Sequence, residues 1–526
     1  MDHQENLLVA ELKQQNLRLQ SQVASLNQRN EQLSEIINSL QRMIYGQRSE
    51  KRTYVLPDPN QLGFLEEIPS NEKTTELSTN TEPSVEVSAH VRKPKRTMEE
   101  MIRNLPAEER ILDIADADKV DEFGKPLIPM GKSYVRTEIE VHPRVIKAVK
   151  IYQKTYRKAD YDEETGNPGI VKAPVPEPLI PHSYVSPSLA AEIIIGKTAD
   201  GLPFYRQALI LGRDQLEIPR NTLAGIYIRV SQKWLSPFLN LLHQELLRQT
   251  VIHADETTVQ VLKEPGKAPA AESRMWVYTS APRSDHQVRY FEYQPGRSGD
   301  YAEAFLQGYT GILETDGYSG YNKVQSAVRA CCWAHMRRYW REAIPNIKGI
   351  TAKESEAVRG FHYCEKLFAL EREYRKLSDE ERQKARQEKS RPVVDEYFEW
   401  VKTLTATGGK LGQAVTYARN QEQYLRAFLD HGILELSNNP AENTIRPFVL
   451  GRKNWLFADS QNGAKALAAC YTILETAKAN HLDIRKYLDW LLSTLPRIPE
   501  SQRTEELKIM LPWDTEVQRF FRTRDY

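Results

Sequence analysis

Three carboxylates stand where a strand or a helix could present them to one another: Asp255, Asp316 and Glu442. Asp255 ends the apolar run Val251-Ile252-His253-Ala254-Asp255, which continues as Thr257-Thr258-Val259-Gln260-Val261-Leu262. Asp316 follows Gly311-Ile312-Leu313-Glu314-Thr315, and Glu442 sits in Asn438-Asn439-Pro440-Ala441-Glu442-Asn443, at a helix start. Carboxylates of this kind suit phosphoryl transfer. Mg2+ prefers hard oxygen ligands and keeps several waters, so one or two carboxylates plus a substrate phosphate can hold it. Two such ions about 3.5–4 Å apart can activate an attacking oxygen and stabilise a leaving one. A third acid would complete the shell of the second ion. Taken singly, each residue has a plainer reading. Either aspartate alone is more often a surface residue, and Asn439-x-x-Glu442 with Pro440 between is also a helix-capping arrangement.

The elements around these acids follow a definite order. After the run that holds Asp255 come two more strand-like segments, Arg274 to Thr279 and Val288 to Tyr293. A helical stretch from Asp300 to Tyr309 leads into the short strand before Asp316. Three hairpin-joined strands and then a crossover match the opening of a ribonuclease-H-like fold. In that fold a carboxylate of the first strand and one at the end of the fourth lie side by side, the places of Asp255 and Asp316. The chain between Asp316 and Glu442 is longer than the fold requires, and it is helical in character. Ser378-Asp379-Glu380-Glu381 marks a helix start. These features predict a catalytic domain over 246–460 with a helical insertion over about 343–435, followed by a helical region over 461–526.

Two groups of cationic and aromatic residues flank the acids. Arg329, Arg337, Arg338 and Arg341 accompany Trp333, Tyr339 and Trp340, and Arg446, Arg452 and Lys453 accompany Trp455. Such surfaces suit DNA. Cys332 and His335 are three apart, but zinc takes four ligands and there is no second pair. The expectation is that they pack near the active site.

Before residue 246 the chain changes character several times. Leu12, Leu19, Leu26, Leu33 and Leu40 recur every seven residues, with Val9, Asn16, Val23, Asn30, Ile37 and Ile44 as the other seam. That predicts a two-stranded coiled coil over 1–52, its register fixed by the asparagines. Residues 53–98 read as an acidic disordered linker that ends in the basic run Arg92, Lys93, Lys95 and Arg96, which suits a phosphate backbone or a solvated linker end. Residues 99–180 look β-rich, with Val135, Thr137, Ile139 and Val141 alternating. Residues 181–245 turn helical. One helix covers Pro187 to Ile195, a second starts near Pro203, and a third begins after Pro219 with Arg220-Asn221-Thr222. The last two resemble a helix-turn-helix as much as a plain helical connector, and Arg220, Asn221 and Thr222 are where base contacts would fall.

Composition bounds these readings. The chain has 526 residues, and 72 Lys+Arg against 71 Asp+Glu leave a net charge of +1, so no uniform basic coat covers it. No apolar run approaches the roughly 20 residues of a membrane span. Asp2, Gln4 and Glu5 do not read as a secretory signal. Cys331, Cys332, Cys364 and Cys470 form no disulfide framework, which points to a reducing cytoplasm.

Four blocks of sequence carry a family resemblance. They are His253-Ala254-Asp255-Glu256-Thr257, Thr315-Asp316-Gly317-Tyr318-Ser319-Gly320-Tyr321, Cys332-Trp333-Ala334-His335-x-Arg337-Arg338, and Asn438-Asn439-x-Ala441-Glu442-x-x-x-Arg446-Pro447-x-x-x-Gly451-Arg452-Lys453-Asn454-Trp455-Leu456-Phe457. The chain resembles the transposases of the insertion-sequence 66 family over nearly its whole length. Tyr45-Gly46-x-Arg48-Ser49-Glu50-Lys51 after the zipper and Glu475-Thr476-Ala477-Lys478-Ala479-Asn480 fit the same family.

The resemblance implies a multidomain α/β protein with a ribonuclease-H-like catalytic core, in which Asp255, Asp316 and Glu442 are the metal-binding DDE triad. It implies two Mg2+ ions, with Mn2+ able to stand in, and double-stranded DNA as partner, both the element's terminal repeats and the target. It also implies a homodimer or larger assembly, accessory proteins of the element, no membrane, and a bacterial cytoplasm with nucleoid association. The family's small zinc module departs from pattern here. The matching segments, Lys119 to Gly124 and Tyr156 to Tyr161, lack cysteine, so no structural zinc is expected. The competing readings are a catalytically silent DNA-binding repressor of the same element and a ribonuclease-H-like nuclease of repair. The acid triad argues against the first, and the zipper argues against the second.

Overall fold

The computed structural model describes residues 144–157, 170–344, 355–405 and 408–523. The chain divides into two units, 1–145 and 146–526, and nearly all described residues belong to the second. The expected coiled coil with Leu12, Leu19, Leu26, Leu33 and Leu40, the acidic linker with Arg92, Lys93, Lys95 and Arg96, and most of the 99–180 module lie outside the described residues. Of that module, β1 (Thr155–Arg157) pairs antiparallel with β2 (Ile170–Lys172).

Helices α1 (Pro187–Thr198), α2 (Phe204–Arg213), α3 (Arg220–Val230) and α4 (Ser236–Leu247) follow. Ser186 caps α1 by accepting from the Leu189 amide, and prolines 203 and 219 directly precede α2 and α3. Proline suits a helix entry because its missing N–H would have no partner there. Leu223, Ile226, Tyr227 and Val230 bury one face of α3. Arg220 and Asn221 stay exposed at its start, and Thr222 is half-buried.

A single sheet carries the site. β3 (Val251–Lys263), β4 (Glu272–Ser280) and β5 (Arg289–Gln294) form an antiparallel meander. α5 (Gly299–Phe305) crosses over to β6 (Ile312–Thr315), which pairs parallel with β3 and with β7 (Val328–Cys331). The strand order is β5-β4-β3-β6-β7. Short loops permit the antiparallel pairs, whereas a parallel neighbour requires a crossover. On the side of β3 away from β4, its partner changes along its length. Residues 251–253 pair with β6, and residues from Gln260 onward pair with β8 (Phe457–Ser460). Between them, residues 254–259 of β3 have no strand neighbour on that side.

The edge strand β5 is covered rather than open. α12 (Gln461–Ala479) lies along it. Thr472 Oγ1 accepts from the Phe291 amide at 2.9 Å, and Thr476 Oγ1 accepts from the Arg289 amide at 3.0 Å. Threonines four apart on a helix meet alternate residues of a strand, so edge groups that could pair with another chain are satisfied internally.

The segment expected to be a helical insertion is helical where it is described. α6 (Trp333–Ala343) leads into α7 (Glu356–Glu373), α8 (Asp379–Ala385), α9 (Arg391–Thr403) and α10 (Gly409–Arg426). Ser378 forms the anticipated capping box with Glu381. The aromatic surface expected around Trp333 and Trp340 does not exist. Both indoles are fully buried in the core of the insertion, where Trp333 donates to Leu425 O at 2.8 Å and Trp340 to the Tyr397 hydroxyl at 3.0 Å. Trp455 is buried as well. Large aromatic area is worth more inside a helical core than on a wet surface. After the insertion come α11 (Asn439–Trp455), β8, α12, α13 (Ile484–Thr494), α14 (Arg503–Lys508) and α15 (Thr515–Phe521). All four cysteines are free and buried. Among the described residues, no helix is long and apolar enough to cross a membrane.

Arg386 fastens the insertion to the segment that returns toward α11. Its guanidinium is fully buried, pairs with both oxygens of Glu371, and donates to the carbonyls of Phe428, His431 and Leu434. Removing it leaves Glu371 to Arg382 alone and strands three carbonyls, and losing one partner of a buried pair costs about 3–5 kcal/mol. Arg386→Met should therefore lose roughly that much stability in a urea titration monitored by circular dichroism. An unchanged midpoint would refute the role given to Arg386.

Candidate active site

The parallel register of β3 and β6 aligns the two aspartates. Val251 pairs with Ile312, Ile252 with Leu313 and His253 with Glu314. Continuing by two residues sets Asp255 opposite Asp316, just where β6 ends and β3 loses its neighbour. Asp255 Oδ1 accepts from the Glu256 amide at 2.8 Å, and Asp316 Oδ1 accepts from the Tyr318 amide at 2.8 Å. Both aspartates are half-buried.

Glu442 arrives on the first turn of α11. The capping arrangement that the sequence also allows does not form, because Asn438, not Asn439, precedes the helix, and its side chain makes no cap bond. Asn438 is used across the cleft instead. Its Nδ2 donates to Ala254 O at 2.8 Å, its Oδ1 lies 3.2 Å from His253 Nδ1, and its amide donates to Cys332 Sγ at 3.1 Å. One buried asparagine thus ties the start of α11 to β3 beside Asp255 and satisfies a carbonyl that has no strand partner. Arg452 does the same further along, donating to Thr257 Oγ1 at 3.1 Å, Thr258 Oγ1 at 2.9 Å and Thr258 O.

The electrostatics are those of an anionic pocket short of cations. Burial, then the negative charges of Glu256, Asp316 and Glu442, push the Asp255 carboxyl well above its ordinary value. Burial also raises Glu442, opposed by Arg338 and Arg446, with Asp316 adding to the rise. Glu256 is raised by burial and by Asp316, and lowered by its bonds from Tyr321 (2.7 Å) and Arg297 (2.6 Å). All the donors are oxygens, the set that Mg2+ prefers. Among the described residues, no three His, Cys, Asp or Glu side chains close round one point as a cage. A hard cation that keeps waters and takes phosphate oxygens does not require one.

Several residues that sequence reading passed over belong to the site. Glu256 is a fourth carboxylate, with its side chain only 3% exposed. Neighbours in a strand point to opposite faces, so nothing in the spacing joined it to Asp255. The signal was Tyr321 in the Asp316-to-Tyr321 block, whose hydroxyl binds it. His335 lies with Nε2 3.7 Å from Glu442 Oε1, as the Cys332–His335 spacing had hinted. Burial, with Arg338 nearby, lowers His335 to about 4, so it is neutral at pH 7. Behind the aspartates, two residues earlier on each strand, His253 Nδ1 sits 3.5 Å from Glu314 Oε2. Burial takes His253 down to about 3, leaving it uncharged at pH 7, and pushes Glu314 well up.

The expected DNA contacts divide. Arg338 and Arg446 are exposed beside Glu442, and Lys453 is exposed farther along α11. Arg337 is not brought to that surface. It pairs with Glu365 and lies over the rings of Phe361 and Phe368. Arg452 is engaged with β3 as described. Arg329 is buried and holds the loop after Asp316, donating to Asp316 O at 3.0 Å and Tyr318 O at 3.1 Å. Gly317 in that loop has no room for a side chain, because a Cβ would meet the ring of Tyr417 at 2.3 Å.

With this geometry in hand, the profile described as Transposase IS66 family matches residues 182–466. A second profile, described as Transposase C of IS166 homeodomain, matches residues 32–110. The uncharacterized protein y4qI of Sinorhizobium fredii is 30% identical over 94% of this chain and 91% of its own length. The uncharacterized protein y4hP of the same organism is 27% identical over 91% of this chain and 87% of its own. A solved structure titled Drosophila P element transposase strand transfer complex aligns with 58% of this chain and 94% of its own, at 12% identity and a TM-score of 0.32. That score is too low for a shared fold to be read from it.

The raised Asp255 carboxyl has a consequence for stability. A carboxyl whose folded value lies above its unfolded value destabilises the fold at any pH above the folded value. That penalty fades as pH falls toward the unfolded value of about 3.9. Asp255→Asn should therefore be more stable than wild type at pH 7.5, with the gap narrowing on acidification. Urea unfolding at several pH values would check this. An asparagine variant less stable at pH 7.5 would contradict the account of crowding.

Proposed function

The chain belongs to the IS66 transposase family, and from that premise we propose that it cuts and joins DNA at the ends of the insertion sequence that encodes it. The observation that carries the proposal is the convergence of Asp255, Asp316 and Glu442 on one gap in the sheet. Strand order β5-β4-β3-β6-β7, with a carboxylate on the central strand and another after its parallel neighbour, supports a ribonuclease-H-like core. Binding alone would need no such crowd of half-buried acids, which weighs against a silent repressor.

In this reading Asp255, Asp316 and Glu442 would hold Mg2+, with Mn2+ able to stand in. When bound, two such ions supply Lewis-acid activation of the attacking oxygen and charge stabilisation of the leaving one. The protein's own groups do the rest. Arg338 and Arg446 hold phosphates across the mouth of the site, where an acidic pocket would otherwise repel DNA. His335, held neutral, packs against Glu442 without cancelling its charge. The Tyr318 amide fixes the Asp316 carboxylate, Arg329 fixes the backbone of that loop, and Asn438 fixes the approach of Glu442. Water first displaces the 3′-oxygen from the scissile phosphorus at the element's end. The freed 3′-hydroxyl then attacks a phosphodiester of the target, displacing its 3′-oxygen.

The remaining parts serve recognition and assembly. Arg220, Asn221 and Thr222 at the start of α3 read base edges in a helix-turn-helix formed by α2 and α3, and Lys453 with the Arg92–Arg96 run binds backbone. The coiled coil pairs two subunits so that two ends are cut together. The work takes place on the bacterial nucleoid. The 99–180 module folds without zinc.

Cleavage of the element's end DNA in Mg2+ should fall on the order of 10³-fold in Asp255→Asn, Asp316→Asn and Glu442→Gln, about 4 kcal/mol of transition-state stabilisation each. Equal cleavage by wild type and variants would refute the site. Sedimentation of the purified protein should give a dimer that Leu19→Ala with Leu26→Ala dissociates, and elemental analysis should find zinc well below one atom per chain.

A further inference from the structure

An open-sided cavity of about 560 Å³ lies directly beside Asp316 and is unused by the mechanism above. Gly317 forms part of its wall, and α10 supplies most of the rest. Gln413, Thr416, Tyr417 and Asn420 recur at the three-and-four spacing that puts side chains on one helix face. Gln421 completes that wall, and Tyr339 faces it from α6. Among the described residues, none that is charged lines the cavity.

We propose that this cavity receives one unpaired nucleobase of the DNA end, adjacent to the bond that is cut. The inference rests on the transposase reading and adds a base-binding subsite to it. Four features carry it. The size falls within the roughly 300–1,000 Å³ of sites that enclose a small planar ligand. The rings of Tyr339 and Tyr417, with centroids 4.5 Å apart and planes inclined by 30°, offer an aromatic wall for stacking. Gln413, Asn420 and Gln421 present amides, which donate and accept together and so match the edge of a base. A phosphate would call for cations instead. Gln421 also has an unmet need. Its Nε2 reaches Gly317 O at 3.5 Å, while its Oε1 is buried without a hydrogen-bond partner. A buried acceptor left open on a cavity wall is satisfied when a donor such as an exocyclic amine enters. The contact of Gly317 with the Tyr417 ring couples the wall of the cavity to the residue after Asp316. Seating a base here would therefore bring its own backbone to the acids. Enzymes that act at a base or its linkage commonly take the nucleotide out of the stack in this way.

The test pairs an abasic scan with a cavity variant. Duplexes carrying the element's terminal repeat, each with one abasic nucleotide near the cut, are bound in Ca2+ by wild type and by Gln413→Ala with Asn420→Ala. Both residues are exposed, so the fold should survive their removal. At one position the abasic change should weaken wild-type binding roughly 5- to 150-fold, the range for one stacked base. It should weaken the variant less than twofold. Abasic losses that are equal in both proteins at every position, or absent throughout, would overturn the inference while leaving cleavage by wild type intact. Failure of wild type to bind or cleave the unmodified duplex would remove the transposase reading and this inference with it.

Discussion

Repulsion among Asp255, Glu256, Asp316 and Glu442 is the constraint that the surrounding structure answers. Two unit charges 4–6 Å apart repel by about 3–4 kcal/mol at an effective dielectric constant near 20. A net hydrogen bond returns only about 1 kcal/mol, and the positive end of a helix about 0.3–1 kcal/mol. Glu442 gains the helix term on the first turn of α11, but no single local contact offsets the crowding. The acids stay together because rigid elements bring them there. β3 and β6 fix the aspartates by register, Arg329 clamps the loop after Asp316, and Asn438 anchors the start of α11. Arg386 in turn holds the segment that delivers Asn438.

The gap along β3 is where these demands meet. A continuous sheet would bury residues 254–259 between two neighbours. Here β6 stops and β8 begins beyond, which opens a cleft wide enough for side chains from α11. Side chains then satisfy the exposed strand carbonyls, Asn438 at Ala254 and Arg452 at Thr258. The same opening that costs a run of ladder hydrogen bonds leaves the aspartates only half-buried.

Most of this core was legible in the sequence. Alternating and apolar runs located β3, β4, β5 and β6, and prolines located the entries of α1, α2 and α3 within a residue or two. The carboxylate pair followed from strand order. What stayed hidden depended on side-chain direction. Arg337 and Arg338 are neighbours on one helix, yet one faces Glu365 and the other Glu442. Trp333 and Trp340 read as surface aromatics beside arginines, because their partners Leu425 and Tyr397 lie 92 and 57 residues later in the chain. Glu256 and Asn438 escaped notice for the same reason. Their partners, Tyr321 and Ala254, are distant in sequence and adjacent only after folding.

If relief of this repulsion by a bound cation is the purpose of the arrangement, cation binding is its most direct measure. Titration of Mn2+ into the purified protein, with free ion followed by electron paramagnetic resonance, separates the possibilities without DNA or turnover. Wild type should remove Mn2+ from solution, and Asp316→Asn and Glu442→Gln should each weaken that uptake at least tenfold. Uptake that is the same in wild type and both variants, or absent from wild type, would contradict the account.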